Sequence, residues 1–301
     1  MKSLRQLRRK VLDIIIRNYS KLWLIIIIIL PFVFGVGLYI KSTSLLNDQL
    51  LNNLLFSSDW KPMSHKFGFL PFIISSLWVS LLALALAGPI CVFSAIHLSI
   101  YAPKKFLKFM QPVIDILAGI PSVIYGVWGI LAIVPFIKDT LGPFIGIETY
   151  GYSILAGAIV LAVMIIPFIL NICIEVFESI PIQLQEASLS LGASRWYTVK
   201  YVLIKRAFPG IISAIGLGLS RAFGETMAVL MVVGNVTAFP KSIFEPGYPL
   251  PALIANNYGE MLSIPLYDSA LMFAAFLLLI VVLFFNVLSR LLIIRYEKIY
   301  K

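Results

Sequence analysis

The sequence predicts an all-α, integral membrane fold with six transmembrane helices and both termini cytoplasmic, on three observations. Apolar residues fill 60% of the 301 positions, only 13% are charged, and the mean hydropathy is +0.97. A soluble domain carries about 25% charged residues, so the implied surface is mostly apolar and suits lipid. Six runs nearly free of Asp, Glu, Lys and Arg reach the roughly 20 residues that a helix needs to cross a bilayer. Finally, eighteen of the 24 Lys and Arg fall on one side of that six-span scheme and five on the other, with Arg221 inside a span.

The elements follow in order. Residues 1–21 form a basic cytoplasmic N-terminus with Lys2, Arg5, Arg8, Arg9, Lys10, Arg17 and Lys21. Residues 22–40 are 19 uncharged positions. That exceeds the apolar core of a signal peptide, and no small-x-small cleavage site closes the run, so it reads as an uncleaved first transmembrane helix. The later spans are 67–103, 116–137, 149–174, 207–240 (interrupted by Arg221 and Glu225) and 269–289. Lys104, Lys105 and Lys108, then Arg195, Lys200, Lys205 and Arg206, then Arg290, Arg295, Lys298 and Lys301 share the N-terminal side. Cytoplasmic loops carry such an excess. Lys41, Lys61, Lys66, Lys138 and Lys241 lie on the other side. The outer segments 41–66, 138–150 and 237–268 are too short and polar for separate domains. The last holds Pro240, Pro246, Gly247, Pro249 and Pro251 and reads as a turn-rich loop. Asp115 falls at the start of the third span, where a helix-terminus role is expected.

Composition and motifs exclude several function classes. The net charge of +10 would suit nucleic acid on a soluble protein, but these cations flank apolar runs, so topology explains them and no nucleic acid is expected. Cys91 and Cys173 both sit inside apolar runs and read as small packing residues. There is no G-x-x-x-x-G-K-[ST] loop for nucleotide phosphates and no H-E-x-x-H; His65 and His97 are far apart, so no metal site is expected. No serine lies in G-x-S-x-G. A membrane enzyme is therefore unsupported.

Two stretches carry candidate chemistry. In the fifth span, Ala214, Gly218 and Ala222 lie four apart, as do Gly216, Ser220 and Gly224. Small residues at this spacing let helices approach closely in lipid, so Gly216, Gly218 and Gly224 are assigned to helix packing. Arg221 and Glu225 fall four apart, on one face of a continuous helix. Charges at membrane depth face protein or water and find partners. Either Arg221 attracts an anion along a pathway with Glu225 and Thr226 beside it, or Arg221 and Glu225 merely neutralise each other. The second stretch runs from Pro181 to Lys200. Pro181 suits a helix start, Gly192 a sharp turn, and Ser194 the cap of a second short helix. The reading is a helix–turn–helix on the membrane face: an amphipathic connector, or a docking surface for a cytoplasmic partner.

Glu186-Ala187-Ser188 followed by Gly192 resembles the E-A-A-x-x-x-G loop of ABC importer permeases. It departs from the family pattern at Ser188, and Lys205 stands where the continuation carries proline. Residues 117–126 (LAGIPSVIYG), 221–228 (RAFGETMA) and Gly234-Asn235 resemble the PstC-type permease of phosphate ABC importers; the similar PstA type usually runs to Ala-Pro after Gly-Glu-Thr. The likeness implies an ABC importer type I permease domain over residues 69–294 with a coupling loop at 178–206. It also implies a second, PstA-like permease, a PstB-like ATP-binding subunit dimer, and an extracytoplasmic PstS-like phosphate-binding protein. ATP and Mg would be used by the partner subunit and no cofactor bound by this chain. Glu186, Ala187, Gly192 and Arg195 would couple to the ATP-binding subunit, while Arg221 and Glu225 match charged positions linked to phosphate passage. The setting is a bacterial or archaeal inner membrane. The alternatives are the PstA-type partner, a permease for molybdate or sulfate, and a self-contained channel or secondary carrier.

Overall fold

The computed structural model describes residues 2–260, 264 and 266–299; of the basic residues counted above, Lys301 lies outside them. The chain is helical almost throughout. Helix α1 (Lys2–Asp48) and the short α2 (Leu51–Phe56) lead into a two-residue hairpin, β1 (Trp60–Lys61) against β2 (Lys66–Phe67). Then come α3 (Leu70–Ile96), α4 (Lys104–Gly119), α5 (Ser122–Trp128), α6 (Val134–Phe136), α7 (Gly142–Ile145) and α8 (Ile154–Glu178). After these lie α9 (Ile182–Ser190), α10 (Arg195–Thr198), α11 (Ile204–Gly224), α12 (Met227–Leu230), α13 (Leu250–Asn257) and α14 (Tyr267–Ile299). Single π-helical turns at His97–Tyr101, Gly129–Ile133, Ile137–Leu141 and Val199–Leu203 join neighbouring helices into longer rods.

Six helical stretches are long and apolar enough to span a bilayer: Ile15–Asp48, Leu70–Tyr101, Ser122–Ile145, Ile154–Glu178, Arg195–Gly224 and Tyr267–Tyr296. Their number agrees with the sequence reading, but two of them correct its bounds. The third begins at Ser122, not at 116, because Ile120 is extended ahead of Pro121. A proline disfavours helical geometry in the residue before it, so α4 stops there as a separate helix. Asp115 thus lies near the end of α4 rather than at a span's start. The fifth ends at Gly224, and residues 225–240 do not continue it.

Helix α8 is the axis of the bundle. In its apolar window 67% of the residues are buried inside the chain, against none in α1. Ala83, Ala87, Cys91 and Ala95 of α3 are fully buried in the core that α8 shares. Small side chains there let the two helices come close. Gly210 of α11 abuts Val176, and Gly218 abuts Ile169 so tightly that a Cβ would collide. The first turn of α8 also shows how a buried helix end is satisfied. Ser153 accepts a hydrogen bond from Ala156 N at 3.2 Å, while Ile154 N and Leu155 N donate to the carbonyls of Glu245 and Ile243. Free N–H groups at a helix start need such partners away from water.

A second, aromatic core lies at this same end, where Gly247 abuts both Ile154 and Ser75. Trp60 meets Phe67, Phe69, Phe72 and Tyr267 edge-on, with centroids 4.9–6.1 Å apart. Ser75 and Ser76 of α3, both buried, accept from Tyr248 N and Leu250 N and so anchor the loop before α13. By contrast α1 lies along α14, with Gly35 against Leu279 and the rings of Tyr39 and Phe276 5.9 Å apart.

Candidate functional site

The fifth span's helix does not carry Arg221 and Glu225 on one face. Arg221 occupies the last turn of α11, where a cation complements the negative end of the helix dipole. Glu225 follows the helix in an extended conformation (φ −72°, ψ 126°). Its Oε1 accepts from Ala228 N at 3.1 Å and so caps α12. Thr226 is half-buried, and its hydroxyl donates to Gly224 O at 3.4 Å. The expected shared helix face is corrected, and of the two readings left open the i,i+4 pair is not formed: a carboxylate that caps the next helix is turned away from the cation behind it. Among the described residues Arg221 has no ion-pair partner. Its guanidinium lies 5.0 Å above the Phe168 ring of α8, and within the single chain the side chain is exposed. Antiparallel packing of Gly218 on Ile169 puts this charge near the middle of α8.

The two remote stretches 117–126 and 221–228 come together here. A Cβ on Gly126 of α5 would lie 3.3 Å from Ala228 Cα and against Met231 Sδ, so only glycine lets α5 lie on α12. Tyr125, the neighbour of Gly126, is buried and donates to Leu117 O at 2.8 Å. Asn235 has a left-handed backbone (φ 54°), and its amide donates to Leu230 O at 2.8 Å, ending α12. Asparagine tolerates that conformation better than other non-glycine residues.

The glycines of the fifth span divide. A Cβ on Gly216 would strike Ser289 of α14 and one on Gly218 would strike Ile169. A Cβ on Gly224 would meet nothing within 4 Å among the described residues, so its assignment to packing is not matched by any neighbour there. The stripe is completed by Ser220, which hydrogen-bonds Asn286 of α14 at 2.9 Å.

The stretch 182–198 folds as a helical hairpin. Pro181 precedes α9, Gly192 turns with φ 82°, and Ser194 accepts from Tyr197 N to cap α10. Glu186, Ala187, Gly192 and Arg195 are all exposed on it, with Leu191 at 89% exposure and Trp196 at 54%. The Ser188 hydroxyl lies 2.9 Å from that of Thr198 and clasps the two helices together. Lys205 lies in the first turn of α11, which runs unbroken into the hairpin through a π-helical turn.

Sequence reading missed two features. Phe168 under Arg221 is indistinguishable from other core aromatics in an apolar run. Asn171, Gln111 and Asp115 form a polar cluster between α8 and α4; the signal was an amide at position 171 inside an otherwise apolar span. No group of three or more metal-ligating side chains occurs among the described residues.

Comparison with known proteins agrees with this geometry. Residues 87–298 match the family described as "Binding-protein-dependent transport system inner membrane component". The chain is 42% identical over 208 residues to the "Probable ABC transporter permease protein YqgH" of Bacillus subtilis, covering 68% of this chain and 66% of that one. It is 35% identical over 260 residues to the "Phosphate transport system permease protein PstC" of Xylella fastidiosa, covering 82% and 80%. With the "Probable phosphate transport system permease protein PstC" of Methanocaldococcus jannaschii it shares 32% over 280 residues, covering 88% and 89%. The fold resembles a chain of the inward-facing MetNI methionine ABC transporter (TM-score 0.58, 21% identity, 75% of this chain and 94% of that one). It also resembles one of a bacterial alginate ABC transporter (TM-score 0.58, 17% identity, 91% and 94%). With six apolar spans, a type I importer fold and a family match over most of its length, the chain belongs to the binding-protein-dependent transport system inner membrane components, as a multi-pass permease subunit of an importer.

Proposed function

We propose that this chain is the PstC-like permease of an ATP-driven phosphate importer and forms half of the translocation pathway. The observation that carries the reading is Arg221: a guanidinium near mid-bundle, without a carboxylate partner among the described residues and open to the space beside the chain. An unpaired cation at membrane depth is unfavourable unless an anion visits it. The relatives named as phosphate permeases supply the anion.

A PstA-like permease would face Arg221 and close the pathway. A PstB-like dimer would bind and hydrolyse ATP with Mg and dock on the hairpin at Glu186, Ala187, Gly192 and Arg195. A PstS-like protein would deliver phosphate on the opposite face. This chain itself would bind no cofactor, and both its termini would be cytoplasmic, on the hairpin side of a bacterial or archaeal inner membrane. The connectivity supports alternating access: α9, which carries Glu186, is clasped to α10 through Ser188 and Thr198, and α10 continues directly into α11, so a push at Glu186 crosses the turn to a rod that ends at Arg221. The anion site must be weak, because a tight one would not release its substrate.

The test is uptake of labelled phosphate into vesicles holding all four components, with each left out in turn. Uptake that needs this chain, ATP and the binding protein together is the expected result. Uptake without ATP or the binding protein would favour a channel or secondary carrier. An intact, ATP-hydrolysing complex that carries molybdate or sulfate but not phosphate would reassign the substrate.

A further inference from the structure

The polar cluster on α4 and α8 lies on the hairpin side of Arg221, and nothing above uses it. Asp115 Oδ1 accepts from Asn171 Nδ2 at 2.9 Å and from Gln111 Nε2 at 3.5 Å, and Gln111 Nε2 also donates to Asn171 Oδ1 at 2.9 Å. These amides orient the carboxylate without supplying opposite charge. Among the described residues no cation pairs with Asp115, just as no carboxylate pairs with Arg221. Both side chains are exposed in the single chain.

Two links bring these unpaired charges to one stretch of α8, residues 168–171. Phe168, beneath the guanidinium, and Asn171, bound to the carboxylate, are three residues apart on α8. They share a helix face and are separated by about 4.5 Å along the axis. Tyr125 provides the other link: its hydroxyl holds Leu117 O, two residues beyond Asp115, and its neighbour Gly126 lies against Ala228 and Met231, in the segment that follows Arg221. Asp115 is the nearer of the two to the hairpin, since α8 runs from Phe168 through Asn171 to Glu178 and the hairpin follows.

We propose that Asp115 is a release residue of the pathway: it weakens the oxyanion site at Arg221 and takes over the guanidinium as the anion leaves toward the hairpin side. The inference rests on the reading of Arg221 as an anion site. A fixed negative charge beside a bound anion disfavours it in a water-poor site, by on the order of tenfold in affinity. The amides of Gln111 and Asn171 keep the carboxylate aimed while leaving it unneutralised and able to accept the guanidinium.

The test uses the full complex. Asp115→Asn keeps the shape and an acceptor for Asn171 but removes the charge; Asp115→Glu keeps the charge. The expected result is radiolabelled phosphate bound about tenfold more tightly by Asp115→Asn, with uptake at saturating phosphate slowed about as much. Asp115→Glu should remain near wild type in both. Binding and uptake by Asp115→Asn within twofold of wild type would overturn the proposal. So would loss of binding in both variants, which would mark the cluster as purely structural. Wild-type uptake is followed in parallel with phosphate, sulfate and molybdate. Failure of phosphate alone overturns the proposed substrate, whereas the Asp115→Asn ratio, read on whichever anion is carried, decides the release role.

Discussion

The hairpin at 182–198 and the broken helix end at 221–228 are both open in the single chain, yet opposite physics shapes them. The hairpin is local. A proline before α9, a left-handed glycine and a serine cap define it within seventeen residues, and its apolar side chains, among them Leu191 and Trp196, project outward. The helix end is a product of distant contacts. Glu225 turns away to cap α12, Gly126 of α5 makes room for α12, and Phe168 of α8 carries the guanidinium. Binding groups held this way keep their geometry only while the bundle does. A hairpin defined by its own turns keeps its shape as it is pushed.

Four substitutions sharpen that contrast. The largest effect is expected deep in the bundle: Arg221→Gln should cut phosphate uptake by on the order of 100-fold, the scale of a lost charge-assisted contact, with the complex still assembled. Near-normal uptake by a well-expressed variant would remove Arg221 from the pathway. Next comes Glu186→Lys on the hairpin, expected to uncouple ATP hydrolysis from transport and lower uptake about tenfold through like-charge or mismatched contact at the docking face. Hydrolysis still tightly coupled to uptake would argue against docking there. The smallest effect should come from Ser188→Ala. It removes the 2.9 Å bond to Thr198 and weakens the hairpin by about 1 kcal/mol, visible as faster amide exchange over residues 195–200. Thr198→Val added to it should weaken the hairpin further, since the Thr198 hydroxyl also donates to Ser194 O at 3.2 Å; no further change would show that the clasp to Ser188 is all that this hydroxyl contributes.

Much of the fold was legible in the residues. Uncharged runs gave the number of spans, because leaving a charge in hydrocarbon is costly enough to write itself into the sequence. Turn chemistry gave the hairpin, because left-handed glycines and serine caps act over three or four residues. The third span's start was misplaced because an uncharged run says nothing of the bend at Ile120–Pro121. Arg221 with Glu225 was half legible: the two charges stood out, but their spacing suggested a pair only if the helix continued. The break after Gly224 has no proline to announce it. The amide at 171 was visible in its apolar run, but its partners Gln111 and Asp115 are some sixty residues away.

What the sequence by itself determined, then, is a six-span helical membrane protein with a capped hairpin and one cation inside a span, since each depends on composition or on neighbours within a turn of helix; the permease role came from its resemblance to a family. Only the tertiary structure decided what that cation meets. It gave Glu225 to α12, seated Arg221 on Phe168 and brought Asp115 to the same turn of α8. The physical reason is range: partition into lipid and helix capping are summed residue by residue along the chain, whereas the partner of a buried charge is chosen among groups that packing brings together from anywhere in it.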